Sequence, residues 1–230
     1  MFFSLFSGNI WIDILFFAGI IFSIFAQIIV NTAYNKYSKI ANSIGLTGLN
    51  AAYQLKGHFA MDYLNINKVP GSLSDHYNPK DKSLGLSEGV ADNSSIASLA
   101  IVAHEMGHAR QDAEKMVILK IRNSVFPVAN IASNAAIPLF IIGLLFSLPI
   151  FMDIGIILFA LVSGFYLLTL PLEINASSRG IKMLREGNYL NEGEIKGAKA
   201  VLSAAALTYI AALASALITL FRLLVLRSRN

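Results

Sequence analysis

Four long apolar runs divide the chain, separated by two polar stretches of unequal length. The first run, Ile10 to Val30, spans about 20 residues, enough for one helix to cross a hydrocarbon core. Trp11 and Asp13 sit at its outer end, where an interfacial anchor belongs. No Lys or Arg precedes this run and no A-x-A-like site follows it, so it reads as an anchor rather than a cleaved signal. The next two runs, about Val128–Leu148 and Ile154–Leu172, are joined through Pro149 and Asp153. A joint that short admits only a tight hairpin of antiparallel helices. The last run, Val201 to about Phe221, is Ala-rich and carries Ser203, Thr208, Tyr209 and Ser215. Small residues suit close helix packing, so this helix either spans the bilayer or packs against the other helices.

The pattern predicts five segments: an N-terminal transmembrane anchor (1–30), a polar domain (31–127), a transmembrane hairpin (128–172), a polar segment (173–200) and a C-terminal apolar helix with its tail (201–230). Inside the polar domain, Tyr63–Val69 and Ser83–Ser87 have short β-like patterns on either side of a turn-rich Pro-Gly stretch. Ser83–Ser87 reads as a sheet edge along which an extended substrate could add a strand. From Ser95 the periodicity turns helical, with Asp92, Asn93 and Ser94 as candidate N-caps. The expected fold is a mainly α integral membrane protein, with three to four transmembrane helices and a small cytoplasmic α+β domain.

Composition supports the membrane reading. Hydrophobic residues make up 55% of the 230 and charged residues 14%, against roughly 25% charged in soluble domains. A soluble monomer, a disordered chain and a collagen-like fibre are all excluded as classes. Cysteine is absent, which removes disulfides, thiolate zinc sites and a Cys nucleophile. The net charge of +4 does not point to nucleic acid, because the basic residues lie mostly between apolar runs. Ten Lys and Arg fall in 31–127, five in 173–200 and three beyond residue 221, with none before the first run or in 149–153. The positive-inside rule then places both polar stretches in the cytoplasm. Arg222, Arg227 and Arg229 run against that bias if the last helix spans.

The chemistry is concentrated in His104-Glu105-Met106-Gly107-His108. Four residues apart on a helix, the two imidazoles project from one face and can grip one metal ion. Glu105 then stands beside the water that the metal activates, as general base of a metallopeptidase. Catalytic zinc takes three protein ligands and leaves one position open. An extended motif with a third His would need Gly at 111 and His at 114, where the chain has Gln111 and Glu114. Glu114 is also turned about 240° around the helix from His108. Glu173, directly after the third apolar run, is the chosen third ligand: a carboxylate at a membrane boundary is costly unless something holds it. Ala176, Ser177 and Gly180 share its helix face, so this face can press against the His104–His108 helix. Two membrane crossings separate His108 from Glu173, which returns the chain to the same side. Asp75 and His76 are either a turn or part of the site: His76 steadying an oxyanion, Asp75 orienting a ring. Asn175 is a further candidate for support of the ligands. His58 has no motif around it and reads as a solvated histidine.

These residues resemble a known family. The run His104 to Gln111, the later Leu-Pro-Leu-Glu173-Ile-Asn-Ala-Ser, the upstream Asp75-His76-Tyr77-Asn78-Pro79 and Thr47-Gly48 look like the bacterial YugP-type membrane neutral zinc metallopeptidases. The likeness runs from about residue 30 to the C-terminus, and is more distant to the HtpX and CAAX-prenyl types. Asn78 departs from the family's usual Asp, and Asn50 from the Glu common after Thr-Gly. The resemblance implies one catalytic zinc ion (Zn2+) held by His104, His108 and Glu173, with Glu105 as base. It implies a gluzincin-like zinc metalloendopeptidase with a zincin-like domain, in the cell membrane of a bacterium. Its expected partners are the lipid bilayer and a membrane-associated polypeptide substrate, with no nucleic acid. Two rival readings are a membrane scaffold with a structural zinc, His76 supplying a fourth ligand, and a zinc hydrolase of a non-peptide amide.

Overall fold

The computed structural model describes residues 8–229, so the first seven residues of the N-terminal segment and Asn230 lie outside it. In chain order the elements are α1 (Ile10–Tyr37), α2 (Gly48–His58), β1 (Asn65–Val69), β2 (His76–Asn78), β3 (Ser83–Ser87), α3 (Glu88–Ala91), α4 (Ile96–Ala113), α5 (Val117–Leu145), α6 (Pro149–Glu186) and α7 (Glu192–Ser228). Helices dominate, and four of them, α1, α5, α6 and α7, are long and apolar enough to cross a membrane. α1, α6 and α7 outrun their predicted apolar stretches, while α5 begins earlier than predicted and ends at Leu145, short of Leu148. α5 starts ahead of Pro127 and contains both Pro127 and Pro138, while α6 runs through Pro171.

Two compact units emerge. The first comprises residues up to Gln27, Lys120–Pro171 and Leu207 onward; the second comprises Ile28–Leu119 and Leu172–Ala206. Phe140, Leu144, Met152, Leu223 and Leu226 form a buried apolar cluster in the first unit, but along α1 most large apolar side chains face outward. Buried α1 positions include Asp13, Gly19 and Ala26, whereas Ile14, Phe17, Ile21, Ile24 and Phe25 face outward. Large apolar side chains outside and small or polar ones inside are what lipid as solvent selects. At Gly19 a Cβ would lie 3.3 Å from Ser215 Oγ, and Ser215 donates to Gly19 O at 2.8 Å. α5 and α6 are joined at residues 146–148, ahead of the expected joint through Pro149 and Asp153, both of which lie in α6. Pro149 opens α6, where a missing N–H matters least. Gly155 lets α6 approach Ala136 O of α5, which a Cβ would meet at 2.8 Å. The arginines near the C-terminus find local partners here: Arg222 with buried Asp13 at 3.1 Å, and Arg227 with Asp153 at 2.6 Å.

The second unit has an ordinary core. Leu55, Leu64, Leu84, Leu86, Leu99, Met106, Leu184 and Ile195 are fully buried. α4 runs through its middle, with Ala97, Leu99, Ala100, Val102, Ala103 and Met106 buried around much of its circumference. Its N-cap is Ser95, whose hydroxyl accepts from Ser98 N at 3.1 Å. None of the three expected caps holds that place. Asn93 instead donates its amide to Ser38 O, Ser94 offers its carbonyl to Asn42, and Asp92 ends α3.

The sheet has the order β1-β3-β2, with β1 parallel and β2 antiparallel to β3. This corrects the sequence expectation for Ser83–Ser87. That strand forms where expected but is the central one, paired on both sides, and Leu84 and Leu86 are wholly buried. It has no open edge for a substrate. The edges are β1 and β2.

Candidate metal centre

α4 carries His104 and His108 on one face, with ring centroids 4.8 Å apart and planes nearly perpendicular at 84°. Facing them, α6 supplies Glu173. Its Oε2 lies 3.3 Å from His104 Nε2 and 3.4 Å from His108 Nε2. Among the described residues these three form a group able to hold a metal ion, with candidate ligand atoms all within 4.8 Å of one another.

Close approach of the two helices is built from small residues. A Cβ at Gly107 would meet Ala176 O at 2.3 Å, and one at Gly180 would meet Ala103 O at 2.6 Å. The reciprocal pairing Gly107–Ala176 and Ala103–Gly180 brings α4 and α6 into backbone contact one and two turns beyond Glu173 along α6. The small face anticipated around Glu173 is therefore half of this contact.

The spacing is compatible with a coordination site. A charge-assisted N–H···O bond is about 2.7–2.9 Å long, and the two contacts of Glu173, at 3.3 and 3.4 Å, are longer than that. Around tetrahedral zinc with ligand bonds of roughly 2.0–2.1 Å, neighbouring ligand atoms stand about 3.3 Å apart. The two carboxylate-to-imidazole separations match the edge of that tetrahedron, and the donor set of two imidazoles and one carboxylate is a zinc set.

Both rings are held from behind. His104 Nδ1 lies 3.0 Å from Ser177 Oγ, and His108 Nδ1 lies 2.9 Å from Gln111 Oε1. Nδ1 is thus engaged in each ring and Nε2 is turned toward Glu173. Burial penalises a charged imidazolium at His108, but the contact with Glu173 and the charge of Glu105 outweigh it, so its pKa is raised above the usual histidine value.

Glu105 is buried, and its Oε2 accepts from Tyr77 N at 2.9 Å. Edge strand β2 is therefore the strand beside the candidate base. The Tyr77 side chain donates to Asp112, and burial together with that bond pushes its phenol pKa up strongly. Lys82 also pairs with Asp112.

Asp75 and His76 are placed elsewhere. Asp75 accepts from Ser87 N at 2.8 Å and from Ser87 Oγ at 2.9 Å, so it ties the end of β3 rather than orienting a ring. His76 is exposed, with Nδ1 2.9 Å from Ser74 O and its ring over Gly85, where a Cβ would come within 2.7 Å of it. It does not join the three-residue group. Asn175 lies behind the ligands: its Oδ1 accepts from Gln111 Nε2 at 3.0 Å and from Arg179 Nε at 2.7 Å. His58 is exposed and stacks on Phe59.

Sequence reasoning passed over Gln111 and Tyr77. Gln111 had a readable signal, because it follows His108 by three residues and so shares its face. The Tyr77 contact uses a backbone N–H and leaves no mark in residue type.

Two histidines of one helix and a carboxylate of a second form a candidate metal centre on a chain with four helices apolar enough to cross a membrane. The chain belongs to the family described as "Putative neutral zinc metallopeptidase", which matches residues 12–228. It is 40% identical over 202 residues to the "Putative membrane protease YugP" of Bacillus subtilis (strain 168), covering 88% of each chain. No solved structure matches it.

Proposed function

We propose that the protein is an integral membrane metalloendopeptidase that cleaves membrane-proximal polypeptides with one zinc ion at His104, His108 and Glu173. The observation that carries this reading is the convergence of His104 Nε2, His108 Nε2 and Glu173 Oε2 at tetrahedral-edge spacing, next to the buried carboxylate of Glu105. Zinc in such a site supplies a Lewis acid that lowers the pKa of water and polarises a carbonyl.

The chain's own residues do the rest. Glu105 takes the proton from the attacking water and returns it to the departing amine. Tyr77 N–H, on edge strand β2, holds that carboxylate in place. Ser177 and Gln111 keep the two rings turned with Nε2 inward. A structural zinc usually takes four protein ligands, whereas the group among the described residues has three. That favours catalysis over a scaffold role.

The site faces the cytoplasm in this reading. Fifteen of the 18 Lys and Arg lie in 31–127 and 173–200. The ion pairs of Arg222 with Asp13 and Arg227 with Asp153 join the end of α7 to the starts of α1 and α6. Those pairs support a reading with four crossings and both termini on one side, in which α7 spans and the C-terminus lies outside.

The test measures zinc content and hydrolysis on the same purified samples, against casein-like and lipid-amide substrates. Wild type should hold about one zinc per chain and cleave the protein substrate. His104→Ala and Glu173→Ala should lose both properties. Hydrolysis of the lipid amide alone, or full activity without metal, overturns the reading.

A further inference from the structure

Gln111 is wholly buried on α4, yet every polar atom of its side chain has a partner. Its Nε2 donates to Leu172 O at 2.8 Å and to Asn175 Oδ1 at 3.0 Å, and its Oε1 faces His108 Nδ1 at 2.9 Å. The direction of this chain of bonds is not arbitrary. A guanidinium only donates, so Arg179 Nε, 2.7 Å away, requires the oxygen of Asn175 to face it. That same oxygen and the Leu172 carbonyl are both acceptors, which requires Gln111 to present its NH2 group to them. Its oxygen is then left for His108, and an oxygen only accepts. The Nδ1 of His108 must carry the proton, and the lone pair is confined to Nε2. Flipping the Gln111 amide would set oxygen against oxygen twice inside a buried space. Arg179 is itself anchored by Glu114 at 2.8 Å.

We infer that Gln111, oriented by Asn175 and Arg179, is a positioning residue that locks the tautomer and ring direction of His108 for metal binding. The inference rests on the zinc reading above and goes beyond it by ranking the two histidines. His104 leans on Ser177, whose hydroxyl both donates and accepts and so imposes no tautomer. The lock is therefore on one ligand only.

The test is a zinc competition assay with a chromophoric chelator on the purified full-length chain. Gln111→Ala should weaken zinc binding about 10–100-fold, and Ser177→Ala less. Asn175→Leu should also weaken it. Asn175→Asp, which keeps an acceptor for both Gln111 and Arg179, should bind zinc like wild type. Equal affinity in Gln111→Ala and wild type, or equal losses in Asn175→Asp and Asn175→Leu, overturns the inference. 15N-histidine NMR of the zinc-loaded wild type gives a readout that needs no variant to fold: the proton of His108 must be on Nδ1, and finding it on Nε2 overturns the lock. A wild type that binds no zinc defeats the metal reading itself, an outcome separate from either of these.

Discussion

The central strand and helix of the second unit and the first helix of the first unit treat apolar side chains in opposite ways. In β3 and α4, Leu84, Leu86, Leu99 and Met106 are sealed inside, while Tyr53 of the same unit is exposed. In α1, Ile21 is 66% exposed and Ile24 57%, while Asp13 and Gly19 are buried. One chain follows two solvents. Where water surrounds the protein, burial of apolar area drives packing. Where lipid does, apolar side chains gain nothing by turning inward, and small residues, hydroxyls and ion pairs hold helices together. The candidate metal centre draws on both grammars: His104, His108 and Glu173 lie in the second unit, but the contact that brings α6 against α4 uses the small-residue packing typical of membrane helices.

The largest expected effect tests what that assembly is for. Glu105→Gln keeps the size of the side chain and its acceptor toward Tyr77 N, but cannot take a proton. Hydrolysis should fall about 10²–10⁴-fold, the usual range for removing a general base, with zinc content unchanged. Equal turnover by the variant and wild type in a protein-substrate assay would remove Glu105 from the mechanism.

Next in size is a pair of substitutions that separates the two kinds of exposure. Ile21→Asp puts a carboxylate near the middle of a lipid-facing helix, at a difference of roughly 3–4 kcal/mol on insertion scales. Tyr53→Asp places the same carboxylate on a surface in water, where such changes usually stay within about 0.5 kcal/mol. The fraction of each variant resisting carbonate extraction from membranes, and its thermal unfolding in detergent, measure the contrast. Equal behaviour of the two would mean that the outward face of α1 is not lipid-facing.

What the sequence revealed, and what it hid, follows the range of the interactions. The long helices were legible because an unbroken apolar run is a local signal, and the spans needed only their length. The His104–His108 face follows from helical spacing alone. Glu173 was legible because a carboxylate at a membrane boundary is costly unless something holds it, with a small-residue face beside it and a count of crossings that agreed. The order of the strands was not legible. Ser83–Ser87 alternates like a one-faced strand, and nothing local tells that His76–Asn78 pairs with its far side. The N-cap of α4 was hidden for a related reason. Asp92, Asn93, Ser94 and Ser95 are all competent caps, and the choice among them is made by distant partners, Asn42 and Ser38. Asp75 looked like part of the site because of its neighbours in sequence, whereas its carboxylate serves Ser87.

The smallest effects come from two glycines of α6, one in each unit. At Gly180 a Cβ would stand 2.6 Å from Ala103 O and 3.0 Å from His104 N, against backbone that cannot turn aside as a flexible side chain would. Gly180→Ala must therefore spread α4 from α6, and overpacking of this kind costs about 1–3 kcal/mol. Because Glu173 and Ser177 lie on the same face of α6, the variant should also bind zinc more weakly. At Gly164 nothing lies within 4 Å of an added Cβ. Gly164→Ala gains the helix preference of alanine over glycine, worth roughly 0.5–1 kcal/mol, with zinc affinity unchanged. The two variants should thus move thermal stability in opposite directions from a single added methyl group. If both were stabilised and both bound zinc normally, the backbone contact between α4 and α6 would not be what sets the distance from the imidazoles to the carboxylate.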